Sequence, residues 1–145
     1  MGEAMETNIE RVVKELLKKS PFIEFLGIEL LAVEKERARG RMSFAKAYQN
    51  PYGSLHGGAL YSLADTIGGS LANMCGNAVT TVEGSLHFLA PAMDTEYIYC
   101  DATLKRRGAH LITVDVEISD DQGKLLDCGY FTYYKTEFVL AEPEQ

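Results

Sequence analysis

The sequence predicts an α+β fold in which an antiparallel sheet wraps around one long, buried helix. The order of the elements is the first indication: an amphipathic helix and a strand pair precede a long apolar segment, and further strand-like runs follow it. Such an order favours an antiparallel sheet over alternating βαβ units. The second indication is the apolar segment itself, residues 57–82, which contains no Lys, Arg or Glu. A helix that is apolar on nearly every face is a buried one.

The first elements are a surface helix and a hairpin. Apolar residues recur at helical spacing over about residues 6–19, which predicts an amphipathic helix. A short apolar turn, FIEFLG, leads to the strand-like runs GIELLAVEKE and ARGRMSF, which we expect to pair as a hairpin.

Four β-rich runs follow the long helix: VTTVEGSLHFL, TEYIYCDATLKR, HLITVDVEIS and KLLDCGYFTYYKTEF. The connections APAMD, RGA and DDQG have the composition of turns, so we expect the last three runs to form an antiparallel meander. At 145 residues the chain has the size of one domain, with its core expected over about residues 27–137. The polar tail, residues 138–145, is expected to be frayed.

Composition and charge narrow the function classes. The chain is 46% hydrophobic and 24% charged, as in globular proteins, and its formal net charge of -7 disfavours nucleic-acid binding. Cys75, Cys100 and Cys128 show neither a CxxC pair nor a His partner at metal spacing, so we expect free thiols and no metal site. The amino terminus lacks the apolar core of a signal peptide, which favours a cytoplasmic location.

A membrane span is the competing interpretation of the long apolar segment. The segment is short after Gly58, is interrupted by Gly68, Gly69 and several polar residues, and is followed by strands. We therefore expect no association with a membrane. The glycines instead let the sheet approach the helix closely.

Asp65 is the one formal charge in this segment. A carboxylate buried without partners is costly, so Asp65 must be hydrogen-bonded, protonated or functional. The helix start favours function, because Gly53, Gly57 and Gly58 leave the first turn uncluttered and free N–H groups there can stabilise a developing oxyanion. A structural Asp with an internal hydrogen bond is the alternative.

Asp65 and Gly57 cannot act on one carbonyl within a single subunit. They lie roughly 12 Å apart along a helix that rises about 1.5 Å per residue. A two-fold dimer with antiparallel central helices would bring Asp65 of one chain towards Gly57 of the other. We infer composite active sites at a dimer interface.

The sequence contains a set of motif residues around the helix: Asn50, Gly53, His56-Gly57-Gly58, Leu63-Ala64-Asp65, and Thr80-Thr81 ahead of HFLAPA. This set resembles the hotdog-fold acyl-CoA thioesterases of the PaaI type, and the resemblance covers about residues 27–135. It implies a five- or six-stranded antiparallel sheet around the central helix and dimers that usually pair into tetramers. It also implies hydrolysis of acyl-CoA thioesters with no metal or cofactor.

The resemblance implies roles for individual residues. Gly57 would supply the N–H that polarises the thioester carbonyl, and Asn50 would sit opposite and place water or substrate. Asp65 of the partner chain would act as general base or nucleophile, and Thr81 would position the attacking water. Alternatively, Asn50 begins a turn before Pro51, and Thr81 is present only because threonine favours β-strands.

Two further groups are expected on the substrate-binding side. His56 is assigned a positional role, ordering the helix entry beside Gly58, because no nucleophile or metal set accompanies it. The cluster Lys105, Arg106 and Arg107 lies where the resemblance places the CoA nucleotide, and basic side chains suit its phosphates. A solvated hairpin tip is the alternative.

Two other functions fit the same fold. A non-catalytic acyl-CoA sensor usually carries a DNA-binding segment, for which the acidic amino-terminal helix is not suited. A hotdog hydratase or dehydratase typically pairs its carboxylate with a His in a different loop pattern. The sequence leaves open the acyl group, the choice between dimer and tetramer, and whether Asp65 is base or nucleophile.

Overall fold

Six antiparallel strands wrap around one central helix in the computed structural model, which describes residues 5–142. The helices are α1 (Asn8–Leu17), α2 (Pro21–Leu26) and α3 (Gly57–Ala72), with short 3-10 turns at Lys46–Tyr48 and Asn73–Cys75. The strands are β1 (Glu29–Val33), β2 (Arg37–Ser43), β3 (Asn77–Phe88), β4 (Tyr97–Arg107), β5 (Leu111–Ser119) and β6 (Leu125–Val139). In the sheet they lie in the order β1-β2-β4-β5-β6-β3. This arrangement confirms the predicted α+β fold class.

The amino-terminal part contains two helices where the sequence predicts one. Thr7 and Glu10 form a capping box that starts α1, as expected for an amphipathic helix. The prediction of a turn for FIEFLG is wrong, because this stretch forms α2. Ser20 caps α2, and Gly27 ends it with a φ of 67°. A six-residue helix is too short to show a helical period, and only its cap could have revealed it.

The central helix α3 is buried against the inner face of the sheet, as predicted. Leu63, Ile67 and Leu71 are fully buried there. At Gly68 the sheet comes so close that an added Cβ would lie 2.6 Å from the Tyr133 hydroxyl. Within residues 5–142, no helix has both the length and the apolar character needed to cross a membrane.

Strand pairing follows the expected hairpin and meander and adds one long-range pair. β1 pairs with β2, and β4, β5 and β6 follow one another in the sheet. β3 pairs with β6 instead of its sequence neighbour β4, and so becomes an outer edge.

The chain's last described residues are tied to the fold. β6 continues to Val139, past the expected core boundary at residue 137. The N–H groups of Leu140 and Ala141 then donate to the Gly76 carbonyl. Residues 138–141 of the predicted frayed tail are therefore tied to the fold, and its residues 143–145 lie outside the described part of the chain.

Candidate active site

The start of α3 is held by His56, which is its N-cap. The His56 Nδ1 accepts a hydrogen bond of 2.8 Å from the Gly58 N–H. The His56 carbonyl accepts bonds from the N–H groups of Ala59 and Leu60. The Gly57 N–H has no acceptor among residues 5–142, so it is available to a ligand.

The loop before α3 is organised by Asn50. Its Oδ1 accepts from the N–H groups of Tyr52 and Ser54 at 2.9 and 3.2 Å, and its Nδ2 donates to the Ser54 Oγ at 2.7 Å. This is the turn geometry that the sequence left open for Asn50. Gly53 lies in the same loop with a φ of 87°, so its role is conformational and it is not part of the first helical turn.

Asp65 lies half-buried on the side of α3 that faces β3. The Thr81 hydroxyl donates to the Asp65 Oδ1 at 2.7 Å. The Tyr133 hydroxyl donates to the Asp65 backbone carbonyl at 3.0 Å. Burial raises the pKa of Tyr133, which keeps its phenol a neutral donor. The carboxylate is thus oriented by one hydroxyl, and its second oxygen has no partner among the described side chains.

The four residues predicted as catalytic divide between two cavities. Asn50 and Gly57 line a cavity of about 270 Å³ at the start of α3. Asp65 and Thr81 line another of about 380 Å³ further along the helix. One chain does not bring the two pairs together, in keeping with the separation of roughly 12 Å expected from the helical rise.

Both cavities lie along β3, because α3 runs beside that strand in the opposite direction. At one end, the Phe88 ring packs on Gly57, where an added Cβ would lie 3.4 Å from the ring. In the middle, the Tyr61 hydroxyl donates to the Gly84 carbonyl at 3.3 Å. At the other end stands the bond from Thr81 to Asp65.

The basic cluster of residues 105–107 lies on the exposed end of β4, apart from both cavities. Arg107 is in register with Ile112, Ile112 with Tyr133, and Tyr133 with Thr81. Three strand spacings of about 4.8 Å separate the Arg107 and Thr81 backbones. Lys105 lies 3.6 Å from the Asp115 carboxylate, and Arg107 donates to the Lys35 carbonyl.

Asp127 is a buried carboxylate that the sequence interpretation missed. Its side chain is fully buried, and neither of its carboxyl oxygens has a hydrogen-bond partner among residues 5–142. Burial raises its pKa to about 7. It stands opposite Phe88 on β3 and Ile118 on β5. A signal was present, because Asp127 is the single charge in the run LLDCGYF, as Asp65 is in its own segment.

Phe88 and Tyr133 were also missed, although Phe88 stands within the motif HFLAPA. Both lie in aromatic-rich or β-branched strands, where such residues are common for packing alone. Their contacts with Gly57 and Asp65 depend on how α3 lies across the sheet.

Comparison with known proteins adds a family and a shared fold. The profile of the thioesterase superfamily matches residues 52–126. The acyl-coenzyme A thioesterase PaaI of Escherichia coli K12 is 29% identical over 99 residues, which cover 68% of this chain and 71% of PaaI. Acyl-coenzyme A thioesterase 13 of Mus musculus is 28% identical over 134 residues, covering 89% and 95%. The solved structure of the E. coli PaaI protein superposes with a TM-score of 0.83 at 21% identity, covering 91% and 99%.

Proposed function

Because the chain belongs to the thioesterase superfamily, we propose that it hydrolyses acyl-CoA thioesters at composite sites shared by two subunits. Its six-stranded sheet around α3 is the hotdog fold that the motifs predicted. Two relatives are named as acyl-coenzyme A thioesterases, which supports CoA esters as the substrate class.

The observation that carries the composite site is the position of both half-sites along the outer edge of β3. Among the described strands β3 pairs with β6 alone, and Val82 and Phe88 are 58% and 54% exposed on it. An uncovered edge strand of this length is a template for pairing with a second chain. Pairing of β3 with its own copy, about a two-fold axis near Gly84, continues the sheet and lays the two α3 helices antiparallel. Asp65 of one subunit then lies beside Gly57 of the other.

In this arrangement each residue has a distinct chemical task. The Gly57 N–H donates to the thioester carbonyl oxygen and stabilises the negative charge that develops there. Thr81 occupies one oxygen of Asp65 and leaves the other for a water molecule. Asp65 removes a proton from that water, which attacks the carbonyl carbon, and the C–S bond breaks as the CoA thiolate takes up the proton. Alternatively, the Asp65 carboxylate attacks the carbonyl carbon itself and expels the CoA thiolate, and the water then hydrolyses the resulting mixed anhydride. The products are the free acid and CoA, and a thioester is reactive enough to need no metal.

Asn50 and His56 act by holding the Gly57 N–H in place. Asn50 fixes the loop through three hydrogen bonds, and its second amide hydrogen is left to meet substrate or water. His56 fixes the entry of the helix beside Gly58. Lys105, Arg106 and Arg107 are assigned to the CoA phosphates, because they form an exposed cationic group on a chain of net charge -7.

The first test is release of CoA thiol from a panel of aromatic and straight-chain acyl-CoAs. We expect Asp65→Asn to lose a factor of about a hundred or more in kcat, the scale of a catalytic acid or base. Asp94→Asn, an exposed Asp in a turn, is the matched control and should keep full turnover. Full activity of Asp65→Asn would contradict the assignment. Binding of several acyl-CoAs by the wild type without turnover would favour a sensor instead.

A second test addresses the shared site directly. Gly57→Pro removes the donor N–H. Pro is accepted at the first helical residue, which Gly57 is. The preceding residue, His56, already has the extended backbone that a following Pro requires, with φ -60° and ψ 135°. Gly57→Pro and Asp65→Asn should each be inactive when expressed alone. When the two are coexpressed, half of the random dimers contain one copy of each variant, and one of the two composite sites in such a dimer is intact. Coexpression should therefore restore about a quarter of wild-type activity. A site within one subunit predicts no recovery.

A further inference from the structure

An apolar slot leads away from Asp65 along α3. This is the cavity of about 380 Å³ that Asp65 and Thr81 line, and it continues along the helix to Asn73. Its other walls come from Phe138 of β6 and from Leu17 and Ile23 of the two amino-terminal helices. The slot therefore runs from the proposed catalytic carboxylate towards the two amino-terminal helices.

We propose that this slot binds the acyl group of the substrate, and that it selects an unsubstituted hydrocarbon chain of medium length. The proposal rests on the function proposed above, since Asp65 is taken as the reacting end of the slot. It names a substrate class that the sequence left open.

The walls of the slot offer little to a polar acyl group. The Ser70 hydroxyl donates to the Thr66 carbonyl at 2.8 Å, within α3 itself. The Asn73 side-chain oxygen accepts from the Val79 N–H at 3.1 Å. The Tyr133 hydroxyl is bonded to a backbone carbonyl of α3. The Ser70 and Tyr133 hydroxyl hydrogens are therefore engaged within the protein, so a hydroxyl on the acyl chain would exchange its water for the few remaining polar groups of the slot, such as the Asn73 amide hydrogens.

The length of the slot follows from the helix that forms its floor. Asp65 and Asn73 lie eight residues apart, so they are about 12 Å apart along α3. An extended chain of about nine bonds, and so roughly ten carbon atoms, covers this distance at about 1.3 Å per bond. α1 packs against the 3-10 turn Asn73–Cys75, so we place the far end of the slot there. Chains of about eight to ten carbons therefore fill the slot.

Two variants change the far end in opposite directions. Ala78→Phe places a large side chain in the slot at the start of β3, and Leu17→Ala removes part of its end wall. Ala109→Phe and Leu31→Ala are the matched controls, because both positions are exposed and lie outside the slot. Circular dichroism and thermal unfolding establish that each variant is folded.

The measurement is kcat/KM for straight-chain acyl-CoAs of four to sixteen carbons and for 10-hydroxydecanoyl-CoA. The wild type should peak near eight to ten carbons and prefer decanoyl-CoA to its hydroxylated form by about tenfold or more. Ala78→Phe should lower the ratio of decanoyl to hexanoyl turnover by about tenfold or more, and Leu17→Ala should move the peak to longer chains. Folded variants with the wild-type profile would overturn the proposal, as would a preference for the hydroxylated chain.

Binding separates a failure of the slot from a failure of the proposed function. If the wild type hydrolyses none of these esters, calorimetry with S-decyl-CoA, a thioether that cannot be hydrolysed, tests the slot alone. Binding that Ala78→Phe abolishes and Ala109→Phe retains would support the slot without catalysis. No binding of S-decyl-CoA to the wild type would overturn it.

Discussion

Asp127 makes the stability of the protein depend on pH in a defined direction. Burial raises its pKa to about 7 from the ordinary value of 3.8, so the folded chain keeps a proton that the unfolded chain releases. The stabilising contribution of protonated Asp127 to the free energy of unfolding is complete below about pH 4 and is lost as the pH rises through about 7. Acidic surface groups such as Asp121, whose pKa is lowered by the Glu96 N–H, have the opposite effect, because their contribution to stability is lost as the pH falls.

The size of the effect follows from the shift. One pKa unit corresponds to about 1.4 kcal/mol, so moving from 3.8 to about 7 amounts to about 4 kcal/mol. No hydrogen bond from the described part of the chain offsets the burial, because both carboxyl oxygens lack partners there. Between pH 4 and pH 8, the wild type should therefore lose up to about 4 kcal/mol relative to Asp127→Asn, whose side chain does not titrate.

The assay is urea unfolding of both proteins at equal concentration, followed by circular dichroism at several pH values between 4 and 8. Comparing the two proteins at each pH removes the titration of all other groups, and equal concentration removes the effect of oligomerisation. Asp94→Asn serves as the exposed control and should run parallel to the wild type. A difference between wild type and Asp127→Asn that stays constant across the range would refute the reasoning.

Three further outcomes are expected. Thr81→Val removes the hydroxyl that donates to Asp65. The kcat should fall about ten- to a hundredfold with little change in melting temperature. An unchanged kcat would mean that Thr81 has no role in catalysis. Gly129→Ala should lower the free energy of unfolding in urea by about 2 kcal/mol or more, because its Cβ would lie 1.9 Å from the Ser85 carbonyl oxygen. A variant as stable as the wild type would contradict the close approach of β6 and β3. Val82→Lys puts a charge on the outer edge of β3, and the variant should be a monomer without turnover. Analytical sedimentation measures its oligomeric state. A variant that sediments as a dimer and is active would exclude pairing through this edge.

The features that the sequence predicts are those encoded locally. The long helix is recognisable because almost every residue from 57 to 72 is apolar or small, and the hairpin and meander are recognisable from strand runs joined by turn residues. The position of β3 is different. It joins β6 across a long stretch of chain, and no local pattern distinguishes this partner from β4. The edge that carries both half-sites was therefore not predictable from the runs themselves.

The site was predictable to the extent that motif residues sit on one predicted helix. Gly57 and Asp65 could be placed roughly 12 Å apart from the helical rise alone, and this spacing already argued for a second subunit. The partners of these residues could not be placed. Phe88 contacts Gly57, and Tyr133 contacts the Asp65 carbonyl, only because α3 runs along β3 and β6.

Asp65 and Asp127 show what a lone charge in an apolar segment does and does not indicate. Both carry the same sequence signal, yet their surroundings differ. Asp65 is half-buried, accepts a bond from Thr81 and stands at the mouth of a slot beside an uncovered edge. Asp127 is fully buried, has no hydrogen-bond donor within residues 5–142 and lines neither cavity. A carboxylate can act on a substrate only where a ligand can reach it, so the lone charge identifies a costly residue, and the donor and the opening distinguish the catalytic candidate.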